Sequence, residues 1–82
     1  MLIRSQDKKS LINMDNVTDL SVVNCSEIMA CYTTDQGYRC IGKYSDKAKV
    51  IKVLDMIQEF YNRYKYDVEM SDTFQMPQDE EI

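Results

Sequence analysis

Residues 45–66 read SDKAKVIKVLDMIQEFYNRYKY, the one long stretch of the chain with helical periodicity. Val50, Leu54, Ile57, Tyr61 and Tyr64 recur at steps of three and four, with Ile51, Val53 and Phe60 beside them. Lys47, Lys49, Lys52, Glu59, Asn62 and Arg63 fall mainly outside that stripe. Ser45 suits an N-cap, and Asp46 sits favourably against the helix dipole in the first turn. A helix of this length needs a surface for its apolar stripe, and the rest of the chain must supply a sheet.

The preceding residues alternate in the manner of short strands joined by polar turns. LIR (2–4) and SLINM (10–14) flank SQDKK, and VTDLSVV (17–23) follows the turn DN. In the last of these, Thr18, Leu20 and Val22 form the better core face, with Val17, Asp19, Ser21 and Val23 on the other. NCSE turns the chain into IMACYTT, and DQG (35–37) closes a hairpin with YRCIGKY (38–44), Gly37 supplying a left-handed residue. The expectation is an α+β fold: an antiparallel meander of four or five strands packed by one long C-terminal helix. A short C-terminal edge strand or tail then carries Phe74 and Met76, and Pro77 ends it. Residues 1–76 read as a single domain, and residues 77–82 as an acidic, mobile tail.

Residues 37–45, GYRCIGKYS, match the spacing of a phosphate-binding loop, with Gly37, Gly42 and Lys43 in register. The context excludes it. Tyr-Arg-Cys-Ile between the glycines reads as strand, the hydroxyl position holds Tyr44, and the chain is too short for the α/β domain such a loop needs. The question that survives is smaller: whether Lys43, Tyr44 and the helix start hold an anion.

With 82 residues, the chain has room for one thin core, which favours self-association. It contains no His, and Cys25, Cys31 and Cys40 lack C-x-x-C spacing. This pattern argues against a disulfide framework, a metal site or a cofactor, and for reduced thiols. No nucleophile–base pair of the usual kind can be assembled, so an enzyme is not expected. MLIRSQDKK carries no long apolar run, so a cytoplasmic location is expected and no membrane role. The net charge of −4 opposes general nucleic-acid binding. Basic residues nevertheless group locally. Arg4, Lys8, Lys9, Arg39, Lys43 and Tyr44 are the candidate ligand-binding residues for a small nucleotide-derived anion, with Tyr32, Tyr38 and Tyr44 as stacking surfaces. Phe74, Met76, Tyr61 and Tyr64 are the candidate interface of a homodimer or larger assembly. Acidic pairs at Asp67–Glu69 and Glu80–Glu81 read as solvated charge.

Three blocks carry a resemblance: IRSQDKKSLIN (3–13), IGKYSDKAKVIKVLDMIQ (41–58) and FQMPQDEE (74–81). Through them the chain resembles small, mostly uncharacterised proteins of low-GC Gram-positive bacteria and their phages. The resemblance implies a mobile-element accessory protein. By analogy of architecture with small phage proteins, it implies anti-defence by sequestering a nucleotide-derived signal. The alternatives are an acidic inhibitor acting through Asp79, Glu80 and Glu81 on a nucleic-acid-processing defence enzyme, and a structural or regulatory subunit with no small ligand.

Overall fold

A computed structural model describes residues 1–32, 37–66 and 73–82. The fold is α+β. Its elements are β1 (Leu2–Arg4), β2 (Leu11–Asn13), β3 (Val17–Val23), β4 (Glu27–Tyr32), β5 (Tyr38–Lys43), α1 (Lys47–Tyr66) and β6 (Thr73–Gln75). The strands divide into two three-stranded sheets, ordered β2-β1-β6 and β3-β4-β5. The second is an antiparallel meander as expected, but of three strands where four or five were expected, because β1 and β2 pair with each other and with β6 in a separate sheet. The first places the C-terminal edge strand parallel to β1, with Ile3 opposite Ile12 on one side and Phe74 on the other. The asparate-initiated start of the 35–37 turn, the 67–69 acid pair and the end of IMACYTT lie outside the described residues.

One core serves both sheets and the helix. Ile3, Ile12 and Phe74 from the first sheet, with Met76 just past its last strand, meet Ile28, Ala30 and Ile41 from the second and Val50, Val53 and Ile57 from α1. Phe60 reaches from α1 to Phe74, ring centroids 5.3 Å apart in an edge-to-face pair. The buried stripe is therefore centred on Val50, Val53 and Ile57. Leu54 is half-buried and Tyr61 exposed, a rotation from the expected centring that carries Phe60 toward Phe74. No helix among the described residues is long and apolar enough to cross a membrane.

Two bulges adjust the strand faces. Between Val17 and Asp19 the pairing with β4 shifts, so Thr18 is the extra residue. It is exposed and its hydroxyl donates to the Cys31 carbonyl at 3.2 Å, while Val17 packs against the core. This reverses the faces expected at positions 17 and 18. A second shift, between Ile28 and Met29, lets the consecutive residues Ile41 and Gly42 both turn inward.

The β3–β4 connection holds Asn24 and Cys25 at φ 56° and 57°, with Ser26 N–H donating to the Val23 carbonyl at 3.2 Å. Paired positive φ values match the twist of a hairpin, but a Cβ at position 25 makes that conformation unfavourable. Cys25→Gly, which yields Asn-Gly at the turn, is expected to stabilise the domain by about 1 kcal/mol. A rise in the urea midpoint with an unchanged slope would be the readout.

The helix begins one residue later than its sequence suggests. Asp46, not Ser45, is the capping residue: its carboxylate accepts from Lys49 N–H at 2.8 Å. Ser45 is left to another partner.

Candidate functional site

Two adjoining surfaces contain the sequence-expected site residues. The first is the β1–β2 turn, whose shape comes from short polar side chains. Ser5, almost fully buried, donates its hydroxyl to Asp7 and accepts from Ser10 N–H at 3.2 Å. Asp7 also accepts from Lys9 N–H at 2.9 Å, and Lys8 takes a left-handed φ of 66°. Gln6 N–H donates to the Ile41 carbonyl at 2.9 Å, which ties the turn to β5. Arg4 reaches the Lys8 carbonyl at 3.4 Å.

This packing collects charge. Asp7 is held below its ordinary value of 3.8, first by the Ser5 hydroxyl, then by Lys9 N–H, with the Lys9 and Arg39 charges adding to it. Arg4, Lys8, Lys9 and Arg39 are all exposed, and Lys9 and Arg39 both act on Asp7. Between turn and strand lies a shallow depression of about 140 Å³, lined by Ser5, Gln6, Asp7, Ile41, Gly42 and Lys43 among others. Its size suits a phosphate-sized group, with anything larger lying over the surface.

The second surface is the junction of β5 and α1, and here the acidic end of the chain is seated. Tyr44 is buried, and its hydroxyl donates to the Pro77 carbonyl at 2.8 Å. Burial, with the Asp79 and Glu81 charges, pushes its pKa up to about 12. Ser45 N–H donates to the Asp79 carboxylate at 2.8 Å. Lys49 donates to the Asp79 carbonyl at 3.0 Å and lies 3.6 Å from its carboxylate. Gln78 donates to the Gln6 carbonyl at 2.7 Å, and Gln6 in turn accepts from Lys43 N–H at 2.8 Å. Residues 79–81 form a short helical turn closed by Gln78 N–H on the Glu81 carboxylate at 2.7 Å. The end of the chain is thus a docked clasp in this structure, where a free acidic tail was expected.

These contacts answer the anion question raised by the sequence. A negative group does sit at the helix start, and it is the chain's own Asp79. The glycine-lysine pair also acquires a structural explanation. A Cβ on Gly42 would lie 2.8 Å from the Met76 methyl and 2.9 Å from the Tyr44 ring, so the position is kept bare by packing.

The tentative ligand set therefore divides. Arg4, Lys8, Lys9 and Arg39 surround the β1–β2 turn. Lys43 is exposed at the rim of the depression, with Glu27 at 4.0 Å, and Tyr44 is enclosed beneath the clasp. Tyr38 is 68% exposed and Tyr44 buried, so the two do not share a stacking face. Of the tentative interface residues, Phe74 and Met76 belong to the chain's own core, Tyr64 is half-buried, and Tyr61 is 46% exposed. Gln6, Lys49 and Gln78 were missed by sequence reasoning. Their side chains act across separations of 30 residues or more, which no local pattern reports.

No family model, curated protein or solved structure matches this chain.

The clasp makes stability depend on acid. The Asp79 carboxyl is held below its ordinary 3.8, chiefly by Ser45 N–H, and Asp7 is displaced in the same direction. Both carboxylates favour the folded state while charged. Their contribution is complete at neutral pH and is lost as pH falls from 3.8 through the lowered values. Asp79→Asn should flatten the fall in Tm between pH 5 and pH 2, about the range over which such carboxylates titrate. An unchanged profile would show that the clasp carboxylate carries no linkage.

Proposed function

We propose that the protein is a small, non-enzymatic binding protein of phage or mobile-element type. It sequesters a nucleotide-derived anion as an anti-defence factor and works as an assembly of its own copies. The observation that supports this reading is the gathering of Arg4, Lys8, Lys9 and Arg39 around the β1–β2 turn of a chain whose net charge is −4. Such a local patch raises anion concentration at one place while the remaining surface repels extended polyanions. Beside the patch lies the small depression bounded by Gln6, Asp7, Gly42 and Lys43, with the Asp7 carboxylate the one negative group on its lining.

The acidic-inhibitor alternative draws less support from the structure. Asp79 is bound to Ser45 and Lys49, and Glu81 closes its own turn, which leaves Glu80 as the exposed acid without such a contact in that segment.

Thermal shift and native mass spectrometry with a panel of cyclic nucleotides test the proposal. One member should bind stoichiometrically, and Lys9→Glu with Arg39→Glu should weaken it by about tenfold or more, corresponding to about 1.4 kcal/mol. No shift with any member, and no retained ligand, would overturn the proposal and leave the two alternatives that need no small ligand.

A further inference from the structure

The two edges of the β3-β4-β5 sheet differ sharply. β5 is covered: the β1–β2 turn bonds to it through Gln6 N–H on the Ile41 carbonyl and Lys43 N–H on the Gln6 side chain. β3 forms the opposite edge, and among the described residues no hydrogen bond caps its outer side. Natural edges are usually kept short, or protected by lysine, proline or a bulge. The β3 sequence VTDLSVV contains no Lys, Arg or Pro, and its bulge at Thr18 leaves Asp19–Val23 regular. The other outer strands, β2 and β6, have three residues each.

Beside this open edge runs an apolar groove of about 440 Å³. Leu20 of β3 lines it together with Met1, Met14, Leu54, Ile57 and Tyr61. An added strand would lay its own inward side chains next to Leu20 and continue the apolar layer.

We propose that a second copy of this chain supplies that strand, its β3 running antiparallel to this one about a two-fold axis at Ser21. The three-stranded sheets then join into one sheet spanning both copies. This register pairs every residue of the regular stretch. Ser21 lies opposite the partner's Ser21, Leu20 opposite the partner's Val22 on the groove side, and Asp19 opposite the partner's Val23 on the outer side. Competing registers are poorer on physical grounds. An axis at Asp19 sets carboxylate against carboxylate, and one at Leu20 runs into the bulge. A slip that mixes the two faces would put Leu20 and Val22 on the solvent side. The interface is isologous, as closed dimers require. It rests on the self-association part of the proposed function and is independent of the anionic ligand.

The mass of the wild-type protein in native mass spectrometry and light scattering gives the first test, with a two-chain species expected. In a background where Cys25, Cys31 and Cys40 are serine, Ser21→Cys should cross-link to itself under mild oxidation, because directly opposed strand residues lie within disulfide reach. Asp19→Cys in the same background should not. Ser21→Lys should abolish the two-chain species without unfolding the chain, since Ser21 lies on the outer face. A one-chain mass at all concentrations overturns both the interface and self-association. A two-chain mass without the Ser21→Cys cross-link overturns this interface alone. Should the cysteine-free background fail to fold, amide exchange of the wild type decides. Protection of alternate β3 amides that rises with protein concentration supports the pairing, and concentration-independent exchange overturns it.

Discussion

Removing residues 77–82 is expected to destabilise the domain by about 2–4 kcal/mol, although the segment reads as a dispensable acidic tail. Its loss takes the Pro77 carbonyl from the buried Tyr44 hydroxyl and the Gln78 amide from the Gln6 carbonyl. The segment that encloses Tyr44 goes with them, so the apolar ring is uncovered to water, and Ile82 leaves the edge of the core at the same time. Chemical denaturation of the chain ending at Met76 should show a lower midpoint, and Glu80→Ala in the full chain should show almost none. Equal stability of the shortened and full chains would mean that the clasp contributes nothing to folding.

Ile3→Ala is expected to cost about 2–5 kcal/mol, the range for deleting most of a buried aliphatic side chain. Ile3 is 0% exposed on the central strand of its sheet, between Ile12 and Phe74. The surrounding core is shared by both sheets and α1, so the cavity cannot close by moving one neighbour. Small domains have about 0.05–0.15 kcal/mol of stability per residue, and a loss of this size takes a large fraction of the total. Leu11→Ala, at a site 54% exposed on the adjacent strand, should fall within about 0.5 kcal/mol of wild type. Comparable losses at positions 3 and 11 would contradict the assignment of Ile3 to the core.

The α1 segment and the β3-β4-β5 meander were legible because both express themselves in local periodicity. Val50 and Ile57 announce a helical stripe, and the polar turns on either side of IMACYTT mark it as a strand, although its faces read as mixed and only folding shows Ile28 and Ala30 turned inward. What escaped was non-local. Nothing near Phe74 in sequence says that β6 runs parallel to β1, because strand pairing carries no local signature. The bulges at Thr18 and Ile41 are equally silent, since each is a register shift against a partner strand. At the candidate site, the basic residues of the β1–β2 turn were readable from their grouping, and Arg39 joins them through folding. Tyr44 was misplaced because a tyrosine beside a lysine looks solvent-facing until the chain end closes over it. Whether the helix start holds an anion stayed open in the sequence, because the group that fills it lies 34 residues away from Ser45.

The parallel pairing of β1 with β6 also orders events in time. Leu2, Ile3 and Arg4 find their partners at Thr73, Phe74 and Gln75, nearly the whole length of the chain away. The meander and α1 close shorter loops and can form while synthesis continues, whereas the first sheet has to wait for the last segment to emerge. Until then the nascent chain presents Ile3 and Ile12 on an unfinished sheet, a surface open to chaperones or to premature association. Completion of the first sheet is therefore coupled to the synthesis of β6, and a ribosome halted before Phe74 would release a chain lacking one side of its core.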